Sequence, residues 1–251
     1  MSPGYPPPPP PERPSRSAGA THPASLPESL LQAPGADPIP WEDRDRLSIG
    51  VAFVENLKLF VTDPRQGFRR AAQAGTRDVV SPLLWTLILF LLSAAVSLLW
   101  NSVLTLPLQA LLGQDSVPHL LAFAGGGMLQ LFLAPLRALV MLFISAALFH
   151  LSLAIVSGLD SSSAGYEGTL RTVGYAHTSQ VANVIPVVGP LVALIWFIVL
   201  LVIGLEETHR TTQGRAIIGA LLPILVCCGL CGLLFAVLGA AGAVALSELL
   251  R

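Results

Sequence analysis

Three groups of residues in this 251-residue chain have types and spacings that can do chemistry. The first is Cys227, Cys228 and Cys231, a Cys-x-x-Cys spacing with one more thiol beside it. Such thiols hold zinc when a second pair of Cys or His completes about four ligands. No second pair or suitable His lies nearby, and an odd number of thiols in apolar sequence argues against a disulfide framework. The sequence favours small apolar packing residues, with Gly229, Gly232, Gly239 and Gly242 on the same segment fitting close helix contact. The second group is His150, His177 and His209, with Glu206 and Glu207. Converged, they would carry protons or ligate a metal; apart, they are three separately hydrogen-bonded histidines in a polar bundle interior. The third group is Arg65, Phe68, Arg69 and Arg70. Arg65 and Arg69 are one helical turn apart, and a basic, aromatic turn suits an anionic lipid surface or a partner protein. Its plainer role is to orient the first membrane span. Nothing has the spacing of a metalloprotease, a phosphate-binding loop or a nucleophile elbow. The sequence therefore predicts no catalytic residue, no metal, no cofactor and no nucleic-acid surface.

The elements that carry these residues are set by hydropathy. Charged residues are 12% of the chain, about half the share usual in soluble domains, and mean hydropathy is +0.69. Residues 82–104, 187–205 and 216–246 hold no charge, and 135–158 holds only Arg137. About 20 apolar residues cross the hydrocarbon, and in lipid the backbone must satisfy its own hydrogen bonds. The fold class predicted is all-α: a polytopic transmembrane bundle. Arg137, two residues into its span, can snorkel to the surface. Residues 107–133 lack Lys and Arg, and the run Gly125, Gly126, Gly127 is expected to break a helix there.

Ahead of the bundle lie two other regions. Residues 1–45 read as a disordered Pro-rich tail, since 13 of the 21 prolines fall within residues 1–40. Residues 46–80 read as interfacial amphipathic helices. Ile49, Phe53, Leu57, Phe60 and Val61 form one stripe, and Asp63-Pro64 is a cap followed by a first helical residue. Ser81-Pro82 repeats that signature at the start of the bundle, residues 81–246.

Between two apolar runs sits a semi-polar segment, 169–185. Leu170, Val173, Gly174, Val181, Val184 and Ile185 share one side of a helix, with Thr172, Ser179 and Asn183 opposite. Such a helix is costly alone in lipid but can bond its neighbours inside a bundle. Pro186 and Gly189 then force a tight hairpin into 187–205. Nine of the fourteen basic residues precede the first span, which places the N-terminus inside the cell. If 169–185 crosses, Arg210 and Arg215 also lie inside and the C-terminus outside, so the rule prefers about five spans over four: 82–104, 135–158, 169–185, 187–205 and 216–246. The Arg-rich, Lys-poor composition points to a GC-rich bacterial genome, hence to an inner (cytoplasmic) membrane.

The ordered series Thr169, Tyr175, Pro186, Gly189, Gly204-Leu205, His209, Thr212, Arg215-Ala216 and Pro223 resembles the Yip-domain family, the Ypt/Rab-interacting membrane proteins and their bacterial relatives. "LFHLSLAIVSG" (148–158) is similar to the family's second span, and "TDPRQGF" (62–68) to its lead-in segment. The resemblance covers about residues 47–246. It implies five membrane helices, a cytoplasmic N-terminus, no enzymatic activity, and structural or motif roles for Tyr175, Pro186, Gly189, Gly204, His209, Arg215 and Pro223. The function expected is a membrane organiser or scaffold for cytoplasmic proteins that engage the tail or the interfacial helices, with the lipid bilayer and a second copy of the chain as further partners. The alternative is a transporter of a small molecule, ion or lipid, using the broken hairpin and the polar interior with His150, His177 and Asn183.

Overall fold

Asp63 ends one helix and starts the next. Its backbone N–H reaches Leu59 O at 2.9 Å, while its carboxylate accepts the Gln66 N–H at 3.0 Å. This capping, followed by Pro at the first helical position, joins α1 (Ile49–Thr62) to α2 (Pro64–Gln73) in the computed structural model of the chain. The structure describes residues 37–249 apart from 75–77, 106, 108–110, 112–115 and 161, and describes the backbone alone at 105, 116–125 and 239–249. The predicted tail falls mostly outside these residues.

The other described residues are mainly helical, and no strand occurs among them. α3 (Val80–Trp100) runs into a π turn, Asn101–Thr105. Then come α4 (Ser116–Ile155), α5 (Gly165–Ala176), a 3-10 helix (His177–Val184), α6 (Gly189–His209) and α7 (Gln213–Leu249). Among the described residues, four stretches are long and apolar enough to cross a membrane: Val80–Leu104, Gly126–Ile155, Gly189–His209 and Gln213–Leu238. The segment predicted at 169–185 lies at the centre. α5 packs on α2, α3, α4 and α6, and the 3-10 helix packs on α3 and α6. α7 packs on α4 and α6.

Several local expectations need correcting. The three glycines do not break the chain: α4 continues through Gly125–127 and through Pro135. In lipid the alternative to a helix is unpaired backbone, so such residues are tolerated within membrane helices. Arg137 is thus inside a 40-residue helix and not at its end. The residues just before 45 are not free of the bundle. Ile39 and Trp41 are buried, and Glu42 N and Asp43 N bond Ile39 O, so this turn is docked on the bundle. Ser81 does not cap α3 but lies in its first turn, where the Asp78 carboxylate accepts its N–H at 3.0 Å. In α1 the core face is Ala52, Asn56 and Phe60, flanked by Phe53 and Leu57, whereas Ile49 and Val61 are exposed.

The hairpin is as tight as expected: four residues, 185–188, separate the 3-10 helix from α6. Gly189 serves it by close approach, since a Cβ there would fall 2.5 Å from Ala182 O. The left-handed angle belongs to Val187, at φ 66°.

Candidate functional site

The polar chemistry gathers at one end of the bundle, in three adjoining clusters. The innermost is built on Arg171 of α5, whose side chain is 3% exposed. Its Nη2 donates to Glu42 Oε1 at 2.6 Å and to Ala71 O at 3.3 Å, and its Nη1 donates to Asp78 O. Tyr175, one turn along α5, donates its hydroxyl to the same Glu42 oxygen at 2.6 Å. Burial pushes the Glu42 carboxyl above its usual range even with Arg171 and Tyr175 beside it. Burial would also raise Asp78, but hydrogen bonds from Ser81 and the charges of Arg171 and Arg44 outweigh it and hold this carboxyl low. Around this core, Trp41 Nε1 donates to Ser81 O at 2.9 Å and Arg44 to Ser81 Oγ at 2.7 Å. Three parts of the chain distant in sequence, residues 39–44, the stretch that holds Ala71, Asp78 and Ser81, and α5, are thereby joined through groups that lipid could not solvate.

The second cluster is a hydrogen-bonded line. His150 Nδ1 and Thr169 Oγ1 are 2.8 Å apart, Thr169 Oγ1 and His209 Nε2 are 2.9 Å apart, and His209 Nδ1 and Ser162 Oγ are 2.7 Å apart. A single hydroxyl proton on Thr169 can serve only one imidazole, so the other ring must present an N–H to it. The line therefore fixes the tautomers of α4's His150 and α6's His209 relative to each other. The Ser162–His209 distance suits a nucleophile and base, but the group behind the imidazole is a threonine hydroxyl and not a carboxylate. Alongside, the hydroxyls of Thr172 and Thr208 pair at 2.9 Å.

The third cluster is exposed. Arg65 bonds Glu206 at 3.0 Å and Glu207 at 2.9 Å, and Arg69 bonds Glu207 at 2.9 Å, which clamps α2 to the end of α6. Arg70 meets Asp37 at 3.3 Å. Phe68 is fully buried between α1 and the bundle, edge-on to Phe60 at 5.0 Å, so it offers no lipid contact.

Of the two arrangements open to the histidines, converged or apart, the structure shows a part of each. His150 and His209 meet; Glu206 and Glu207 are taken by arginines; His177 stands apart, bonding Val173 O at 2.8 Å between the rings of Phe90 and Phe197. No group of three or more His, Cys, Asp or Glu suited to a metal occurs among the described residues. Asn183 lies toward the other end, donating to Ser93 Oγ at 2.9 Å and Gln180 Oε1 at 2.7 Å. Gly204 lets α2, α5 and α6 meet, since a Cβ there would lie 2.5 Å from Thr172 Cγ2 and 2.8 Å from Phe68. Arg215 donates to Ser157 O at 2.9 Å, Pro186 lies in the hairpin turn, and Pro223 lies inside α7. The three cysteines do not pack in the bundle: all are exposed and reduced, and a Cβ on Gly229 or Gly232 would meet nothing within 4 Å.

The Yip1 domain matches residues 57–236. This chain belongs to the Yip1 domain family. Neither a curated protein nor a solved structure shows significant similarity to it. It is an integral membrane protein of a non-catalytic family. Thr169, Tyr175 and His209, which the sequence resemblance singled out, all stand in the polar clusters just described.

Sequence reasoning passed over Glu42, Asp78 and Arg171. Arg171 carried a usable signal. An arginine in a helix assigned to a bundle interior needs a carboxylate, and the acids preceding the first span were the ones left to supply it.

Proposed function

We propose that this protein is a non-enzymatic membrane organiser that holds an N-terminal cytoplasmic platform rigidly on a helical bundle. One observation carries the reading: the polar groups of the inner and outer clusters fasten the segment 39–79 to the bundle, through Arg171–Glu42 and through Arg65 and Arg69 on Glu206 and Glu207. The platform would present residues 1–36 and the outer side of α1 to a partner protein. In this reading the polar end faces the cytoplasm of a bacterial cell and the chain crosses the inner membrane five times. The twelve residues of α5 and eight of the 3-10 helix supply a rod of about 34 Å, enough for a core about 30 Å thick.

Two measurements test it. A reporter active only outside the cytoplasm should be on when fused after Arg251 and off when fused near Thr211; the reverse would remove the fifth crossing. Capture from membranes should recover a specific partner with the full chain and lose it on deletion of residues 1–36, which spares Ile39, Trp41 and Glu42. An unchanged partner set would shift the reading to α1 and α2.

A transporter reading draws on a different observation. The central rod changes from α to 3-10 at His177, and a cavity of about 400 Å³ opens at the far end beside Ser93, Asn183 and Pro186. Broken helices build transport sites. Solute flux into proteoliposomes that depends on Asn183 would favour this reading over the organiser.

A further inference from the structure

A cavity of about 360 Å³ opens at the polar end, where α2, the start of α5 and the end of α6 meet. Its charged lining is three arginines, Arg69, Arg171 and Arg210, against one carboxylate, Glu207. That carboxylate is already held by Arg65 and Arg69. Ser163 and Thr208 add hydroxyls to the wall. The cavity also borders the first turn of α5, where Ala164 and Gly168 line it; the backbone N–H groups at a helix start favour an anion. The exposed Glu167 of that turn is outside the lining. Arg171 supplies an independent indication. Its side chain is 3% exposed and both terminal nitrogens are engaged, yet its Nε is buried with no hydrogen-bond partner. A buried guanidinium N–H left unpaired on a residue that lines a donor-rich cavity favours an acceptor oxygen close by.

We propose that this cavity binds a phosphate group. Phosphate offers several strong acceptor oxygens and suits planar guanidinium forks better than a carboxylate of one orientation does. The volume is within the range of small-molecule sites and exceeds the need of a bare oxyanion, so a phosphate bearing a substituent fits. The cavity lies beside Glu207 and Thr208, at the end of a membrane-length helix, the level at which lipid phosphates sit. The same chemistry can therefore come from an anionic phospholipid headgroup or from a soluble phosphate. The site stands whether or not the chain acts as a platform for proteins.

The test uses the full-length protein in neutral detergent and in phosphatidylcholine nanodiscs. Heat resistance is followed with inorganic phosphate, with chloride at equal ionic strength, and with phosphatidylglycerol added to the nanodisc. Ligands that bind only the folded state raise its thermal midpoint. Two variants change exposed residues of the lining. Arg210→Asn removes a charge at a residue with φ 52°, a conformation Asn accepts, and Ser163→Asp puts a carboxylate in the exposed wall. Stabilisation by phosphate beyond chloride, with affinity about tenfold or more weaker in both variants, supports a site open to soluble phosphate. Stabilisation by phosphatidylglycerol alone, lost in both variants, supports the site with a lipid headgroup as its source. Equal effects of phosphate and chloride without a lipid effect, or protection that both variants keep, would overturn the proposal.

Discussion

The centre of this molecule and its last helix obey opposite rules. α5 and the 3-10 helix carry Arg171, Thr172, His177, Thr178 and Ser179, all buried. The far half of α7 carries Leu230, Leu233, Leu234, Phe235 and Leu238, all exposed, Leu233 at 63%. In water that distribution would be inverted. In a bilayer, lipid tails are as apolar as leucine, so burying leucine brings little, while a polar group gains by finding a partner inside the bundle. Polarity, and not hydropathy, therefore marks the helix to which the others are attached.

The strongest way to break this contrast is at Arg171. Arg171→Met leaves Glu42 without its cation, and losing one member of a buried pair costs about 3–5 kcal/mol. Folded protein surviving heat in detergent, read by size exclusion, should fall sharply; survival at the wild-type level would show that Glu42 does not need its partner. A paired truncation sharpens the comparison. Leu200→Ala, at a fully buried position of α6, should cost about 2–5 kcal/mol, whereas Leu233→Ala should stay within about 0.5 kcal/mol. Equal losses would mean that the far half of α7 is covered in the membrane by something the monomer lacks. The smallest effect is expected at Thr172→Val, which removes one hydrogen bond and strands Thr208: about 1 kcal/mol in the same assay, with a smaller loss when Thr208 is also changed to Val.

How far the sequence alone reached follows the same divide. Charge-free runs located α3 and α6, Asp63-Pro64 located the α1–α2 joint, and Pro186 with Gly189 located the hairpin, because each is a local signal. The passage of α4 through three glycines and Pro135 was not legible, since those residues break helices in water but lipid offers the backbone no alternative. Glu42 was hidden for another reason. It sits just past a proline-rich stretch, 129 residues from the arginine it neutralises, and only the tertiary fold brings them to 2.6 Å. His150 and His209 meet through Thr169, and nothing in the sequence spacing shows a hydroxyl mediating between two histidines 59 residues apart.

The change from α to 3-10 at His177 makes the central rod a screw of two pitches. With three residues per turn, His177, Gln180 and Asn183 stand in one column, as the bond of 2.7 Å between the last two reflects. Rewinding all eight residues to α would shorten the rod by about 4 Å and turn its far end by about 160°. Asn183 would leave Ser93, Trp100 would lose Val184 O, and Gly189 would no longer face Ala182. The winding state of eight residues thus sets both the height and the heading of the hairpin, so the two ends of the bundle are geared to each other through one continuous backbone.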